Sequence, residues 1–276
     1  MKNEVKTFSL FVRPDEKSRQ IANKIRELNS KLENPMTETE ENSADLVIAI
    51  GGDGCFIRAV TSTHFSKKAV YTGIHTGTLG FMQELSEEDI PELLQHVTIE
   101  ENLKTRKVFI AIVKVFLKDG SFRQFFALND VIVAGNNYSK IAFAEYIHDE
   151  LLQNISGCGI NIATSTGDTA LSKSLGSAID FSNNFQLVCE LIAPIQNDAT
   201  ENFLANSIIC SKIKLVLKPS DDIFIKIDAI EQDIDSRLIE SVEVSMTDDT
   251  NCIHKLDLKN YSKVKVCRDK LLGYKN

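Results

Sequence analysis

Along the first hundred residues the spacing of apolar positions switches repeatedly between two periods. Residues 8–12 form a short apolar run that stops at Pro14 and predicts a strand. The next segment places Ile21, Ile25, Leu28 and Leu32 on one face among charged residues, the pattern of an amphipathic helix. Residues 33–44, rich in Glu, Asn, Thr and Pro, carry no periodicity and read as a loop. A second apolar run, 45–50, ends in Gly51-Gly52-Asp53-Gly54, after which 55–60 resumes as a helix. A third strand is predicted over 69–74 and a helix over 86–97, where Ser86 and Asp89 have capping-box spacing and Pro91 falls early enough to cost little. Alternation of this kind predicts a parallel sheet covered by helices, with ligands at the C-terminal ends of its strands. Gly51-Gly52-Asp53-Gly54 and the segment from His75 to Gly80 both fall at such ends.

From about Lys104 the pattern becomes strand-like. Residues 108–117 alternate apolar and polar, Lys118-Asp119-Gly120-Ser121 supplies a hairpin turn, and 122–133 answers it. Further strands are predicted at 141–147, 160–164, 208–217, 223–230 and 241–246. One hydroxyl-rich stretch, Thr164-Ser165-Thr166-Gly167-Asp168-Thr169-Ala170, interrupts them and leads into a predicted helix over 171–178. There are no internal repeats and no low-complexity tract. The fold class expected is an α/β N-terminal domain with a parallel, Rossmann-like sheet, followed by a β-rich C-terminal domain.

Composition narrows the partners. The 276 residues are 43% hydrophobic and 25% charged, ordinary for one large or two modest globular domains. A net charge of −8 and a pI near 5.3 give no general attraction to nucleic acid or to an anionic membrane, so an anionic ligand would need local electrostatics. The N-terminal apolar run is too short for a signal segment or a membrane span, and a cytoplasmic location is expected. The six cysteines form no Cys-x-x-Cys pair and the five histidines show no metal-ligand spacing, so no protein-bound metal is expected.

The candidate chemistry starts at the glycine turn. Glycines let a backbone approach polyphosphate without a Cβ in the way, and free amides at a helix start carry partial positive charge. A carboxylate there repels anions unless it binds a metal or takes a proton from an attacking hydroxyl, and both alternatives point to phosphoryl transfer. The bland reading of Asp53 is a helix-capping residue in a tight connection. The stretch from Thr164 to Ala170 offers hydroxyls and amides at a second predicted helix start, or else an ordinary Ser/Thr turn. His75 reads first as a backbone hydrogen-bond partner, and Glu84, Glu87, Glu88 and Asp89 as a solvated helix start.

Four separated segments, Gly51 to Gly54, Gly73 to Phe81, Asn129-Asp130 and Thr164 to Ser177, resemble the NAD kinase family in content and order. The resemblance implies a nucleotide (ATP)-binding α/β domain over 1–103, rejoined by a returning segment at 256–276, and a dinucleotide-binding domain over 104–255. It implies a homo-oligomer, dimer or tetramer. It also implies the reaction: ATP or polyphosphate, with Mg²⁺, phosphorylates the 2′-hydroxyl of the adenosine ribose of NAD to give NADP, with no tightly bound organic cofactor. By the same resemblance Asp53 is the base, and Gly51, Gly52 and Gly54 belong to the phosphate-binding turn. Phe81 closes the Gly-x-Leu-Gly-Phe segment, and Asn129-Asp130 stands for the family's ribose-holding Asn-Glu pair. Thr166, Thr169, Ala170, Leu171 and Ser174 form the substrate loop, and Asp228 an acid near the substrate.

The chain departs from the family pattern in places. Arg-Gly-Asp-Gly becomes Ser156-Gly157-Cys158-Gly159, placing a thiol at Cys158 where the dinucleotide site has a carboxylate. A Pro and a base-stacking Tyr of the substrate loop become Ser165 and Leu171, a loss worth about 1 to 3 kcal/mol for one stacking surface. Two other readings remain open: a lipid kinase of the diacylglycerol or sphingosine type, which shares the glycine-Asp-glycine turn, and a non-catalytic NAD(P)-binding regulatory subunit. A side expectation makes Cys158 an accessible, redox-sensitive thiol.

Overall fold

Short strands, most deeply buried over Leu46–Gly51 and Val70–His75 in the middle of their sheet, build the first half of the molecule. The computed structural model describes residues 5–40, 43–77, 80–99, 103–182, 185–196, 203–218, 222–246 and 250–273. The chain divides into two compact units, Met1–Val108 with Cys252–Asn276, and Phe109–Asn251.

In the first unit, β1 (Thr7–Val12), β2 (Thr37–Glu38), β3 (Leu46–Gly51), β4 (Val70–His75), β5 (Thr105–Phe109) and β18 (Cys252–Leu256) form one sheet in the order β2-β1-β3-β4-β18-β5. The pairs β1 with β2, β1 with β3, β3 with β4 and β4 with β18 are all parallel. All six residues of β3 are buried, as expected of a central parallel strand covered on both faces. Helix α1 (Glu16–Ser30) starts at Asp15, whose carboxylate accepts the Ser18 amide at 3.0 Å, and it buries Ile21 and Ile25. Helix α2 (Asp53–Ser62) packs Phe56 edge-on to Tyr71. A 3₁₀ turn carrying the Ser86/Asp89 capping box leads into α3 (Ile90–Ile99), and α4 (Lys263–Leu271) closes the unit.

The second unit is a sandwich of two antiparallel sheets over a single apolar core. One sheet runs β10 (Glu150–Gly157), β9 (Ile141–Ile147), β14 (Lys212–Leu217), β17 (Ile239–Ser245), β6 (Ala111–Leu117), β7 (Phe122–Ala127). The other runs β13 (Ser207–Cys210), β12 (Leu187–Ile192), β11 (Gly159–Thr164), β8 (Asp130–Gly135), β15 (Ile223–Ile227), β16 (Ile230–Glu231).

Three runs predicted as single strands are broken. The chain divides at Ile110, at Leu128 and Asn129, and at Ser211, and at the last two it crosses between the sandwich sheets. Across Leu128 and Asn129 the odd-numbered positions keep facing the shared core, Phe125 and Ala127 before the corner and Val131 and Val133 after it, whereas at Ser211 the core positions shift from Ile208 and Cys210 to Ile213 and Leu215. The run 223–230 also ends early: Asp228 and Ala229 take φ of +50° and +67°, a tight turn between β15 and β16. The helix predicted over 171–178 is not formed. A wide π-type turn, Asp168–Ser172, with Ala170 held at φ −96° and ψ −119°, takes its place. Strands β10, β12 and β18 and helix α4 were not anticipated, and the two-residue strand β2 lies in the stretch read as loop. No helix of the described residues is long and apolar enough to cross a membrane.

Candidate active site

The glycine turn sits at the C-terminal end of β3. Gly51 has φ +153°, and a Cβ there would lie 3.0 Å from the Arg13 Cβ and 3.1 Å from the Cys55 Cβ, so the tight strand-to-helix connection requires glycine. Gly52 precedes α2, and its carbonyl accepts a 2.7 Å bond from Gln83 Nε2. Cβ atoms built on Gly52 and Gly54 would meet nothing within 4 Å. These bare faces border a cleft of about 780 Å³ whose lining includes Phe11, Arg13, Cys55 and Arg58. The Arg58 guanidinium beside a helix N-terminus supplies local positive potential that the acidic chain lacks overall, whereas Arg13 is paired with Asp15 at 2.6 Å.

Asp53, the first residue of α2, does not cap its own helix. Its Oδ1 accepts the Met82 amide at 2.8 Å, and its Oδ2 accepts the Phe81 amide at 3.0 Å and the Lys270 ammonium at 3.2 Å. The side chain remains 26% exposed, so the carboxylate is held but reachable. The 80–84 strip that supplies these amides is fixed from below. Lys255, buried on β18, donates to the Met82 carbonyl at 2.7 Å and pairs with Glu84, which also takes Arg106 at 2.7 Å. Burial pushes the Lys255 ammonium down to about 8, a shift that the Glu84 charge opposes. Arg106 in turn stacks 3.7 Å from the centre of the Tyr261 ring.

Glu84 therefore departs from the solvated role read from its sequence neighbours: it is an ion-pair partner inside this network. Of that acidic cluster, Glu87 pairs with Lys24 at 2.7 Å and Asp89 serves the capping box. His75 Nδ1 donates to the Gly77 carbonyl at 2.9 Å, the backbone bond expected of it. Thr78 and Leu79 of the Gly73 to Phe81 segment lie outside the described residues.

The second unit gathers another set. Asp228 accepts the amides of Leu128 at 2.9 Å and Asn129 at 2.6 Å, with that of Asp130 at 3.4 Å. Buried and fully engaged with backbone, it orders the β7 to β8 crossing on which Asn129 and Asp130 stand. Asn129 Nδ2 reaches Asp130 Oδ2 at 3.3 Å. Burial first, and repulsion from Asp228 second, raise the Asp130 carboxyl to about 6. The hydroxyl-rich loop is pinned to the same crossing: Thr164 Oγ1 donates to the Leu128 carbonyl at 2.6 Å, and a Cβ on Gly167 would sit 2.0 Å from the Asn129 oxygen. Thr166, Thr169 and Leu171 are half-buried, while Ala170 and Ser174 are exposed.

Cys158 is not part of this group. It lies beyond the opposite end of β11 from Thr164, about 20 Å away along an extended strand. Glu190 is a residue that the sequence reading missed. From β12 its Oε2 accepts Ser172 Oγ at 2.5 Å and Asn161 Nδ2 at 3.2 Å, tying the wide turn to the sheet. Its signal was a lone charge inside the apolar run 187–192.

Comparison with known proteins agrees with this construction. The ATP-NAD kinase N-terminal domain model matches residues 4–101. An NAD kinase of Enterococcus faecalis is 30% identical over 223 residues, covering 79% of this chain and 82% of its own. One from Finegoldia magna is 30% identical over 219 residues, with 79% of each chain covered. In fold, yeast NADH kinase complexed with NADH matches at a TM-score of 0.80 and 18% identity, over 100% of this chain and 89% of that one. An NAD kinase from Archaeoglobus fulgidus in complex with ATP matches at 0.68 and 17% identity, over 94% and 98%. With a relative 30% identical along four-fifths of its length, and the glycine turn, acidic crossing and hydroxyl-rich loop in family order, the chain belongs to the NAD kinase family.

Proposed function

We propose that this protein transfers the γ-phosphate of ATP to the 2′-hydroxyl of the adenosine ribose of NAD, forming NADP. The observation that carries the reading is Asp53: a partly exposed carboxylate held by two backbone amides beside glycines whose bare faces border a cleft. Such a group can accept the hydroxyl proton as the oxygen attacks phosphorus, while Gly52, Gly54 and Arg58 hold the phosphate chain. Asn129 and Asp130 hold ribose, and the turn bearing Thr166, Thr169, Ala170, Leu171 and Ser174 embraces the dinucleotide. Asp228 works through the crossing that it orders.

Mg²⁺ enters with the nucleotide. The described residues contain no cluster of three or more Asp, Glu, His or Cys side chains able to cage an ion, and the Asp53 oxygens already accept three donors. The donor set thus fits an ion carried on phosphate oxygens and water, whose role is to neutralise the charge of the phosphate chain. A cytoplasmic homo-oligomer is the expected setting.

The test is NADP formation from NAD with ATP or polyphosphate, with and without Mg²⁺. Asp53→Asn should lower the rate by about 10² to 10⁴-fold with the fold intact. No NADP at millimolar NAD with any of these donors would reject the proposal.

A further inference from the structure

Lys270 reaches the site from the far end of the chain. It stands in the last turn of α4, its ammonium 3.2 Å from Asp53 Oδ2 and 4.0 Å from the centre of the Phe81 ring. It thereby bridges the acid and the aromatic that the glycine turn and its facing strip bring together. The pair is open to water, with Lys270 30% and Asp53 26% exposed. Ion pairs at such exposure add little to stability, so the consequence of this one lies elsewhere.

Acceptor capacity shows where. A carboxylate offers roughly four lone-pair positions, two on each oxygen. The Phe81 amide and Lys270 use both positions on Oδ2, whereas the Met82 amide uses one on Oδ1. Among the described residues, no donor takes the second position on Oδ1. Gly80 packs against that oxygen so closely that a Cβ would lie only 2.2 Å from it, so the position of the carboxylate requires glycine there.

We propose that Lys270 is a positioning residue for Asp53: by occupying Oδ2 it leaves Oδ1 as the one atom that can receive the substrate hydroxyl. The assignment rests on the reading of Asp53 as the base. Without the ammonium the hydroxyl can settle on either oxygen, and only one of the two arrangements points it at phosphorus. Binding is unaffected by that choice, whereas the chemical step depends on it. The cation over Phe81 adds a second restraint, because the ring and the amide that holds Oδ2 belong to the same residue.

The experiment compares wild type, Lys270→Met, Lys270→Arg and Asp53→Asn, using transfer of radiolabelled phosphate from ATP to NAD so that slow variants are resolved. Lys270→Met keeps the apolar stem over Phe81. It should lower kcat by about ten- to thirtyfold while KM for NAD stays within about twofold, and Lys270→Arg should recover most of the loss. On the Asp53→Asn background, Lys270→Met should add less than about a further twofold, because the partner through which it acts is gone. A zero-length carbodiimide should also join Asp53 to Lys270 in the native protein, read as a linked peptide pair by mass spectrometry. Unchanged kcat in Lys270→Met, a full additive loss on the Asp53→Asn background, or no linked pair in a turning-over enzyme would each overturn the positioning role alone. A wild type that makes no NADP removes the kinase reading and this assignment with it.

Discussion

Gly80→Ala places a methyl group against the reacting oxygen and nowhere else of consequence. The added carbon would stand 2.2 Å from Asp53 Oδ1 and 3.1 Å from its Cγ, while the next neighbour, Gln83 Cβ, is 3.2 Å away. Carbon and oxygen settle at about 3.3 Å, so the carboxylate must retreat by about 1 Å. That retreat breaks or lengthens the 2.8 Å bond from the Met82 amide and moves Oδ1 out of the position in which the acid is held. A displacement of this size at a reacting group costs about 10²-fold in rate, close to 3 kcal/mol of barrier. The stability cost is smaller, about 1 kcal/mol, because the displaced carboxylate is partly exposed and finds water. The assay is NADP formation under saturating ATP and NAD beside thermal unfolding, with Gly77→Ala as control, since a Cβ there meets nothing within 4 Å. A Gly80→Ala enzyme within about threefold of wild type would refute the assignment of Oδ1, as would a rate loss matched by Gly77→Ala.

Two further outcomes probe the second unit. The Asp130 carboxyl, lifted to about 6 in the folded chain, opposes folding when ionised; the penalty is absent below about pH 4, fully present above about pH 6, and on the order of 3 kcal/mol at most. Asp130→Asn should therefore raise the unfolding temperature at pH 8 and leave it unchanged at pH 4, while weakening NAD binding; an equal gain at both pH values contradicts the burial argument. Leu171→Tyr supplies a stacking surface on the half-buried wide turn and should lower the Kd for NAD by about fivefold or more by calorimetry, whereas no change would show that the base lies elsewhere.

The sheet-and-helix half of the molecule was legible because period and punctuation coincide there: β3 is apolar throughout and ends in glycine, and Ser86 with Asp89 announces α3. The sandwich was legible as strands but not as sheets. Asp130 and Phe125 sit in one continuous pattern, yet the chain changes sheet between them, and the signal is only the polar Asn129 at the corner. Strand β10 was invisible because Gln153 and Asn154 interrupt its apolar positions. At the site, the glycine turn and Asp53 could be read from local spacing. The grip of Phe81, Met82 and Lys270 on that acid could not, because pairing of residues 53 and 270 is a product of the returning segment and leaves no local trace.

That return sets a timetable for synthesis. Strand β4 gains its neighbour β18 only after the ribosome has added about 180 more residues, some 10 to 35 seconds at ordinary elongation rates. Through that interval a buried parallel strand is an open edge, able to recruit the same strand from another nascent chain. Lys270, which holds Asp53, is a still later arrival, so a polypeptide stalled before its last turn of helix would carry every glycine of the motif and yet lack the ammonium that aims its acid.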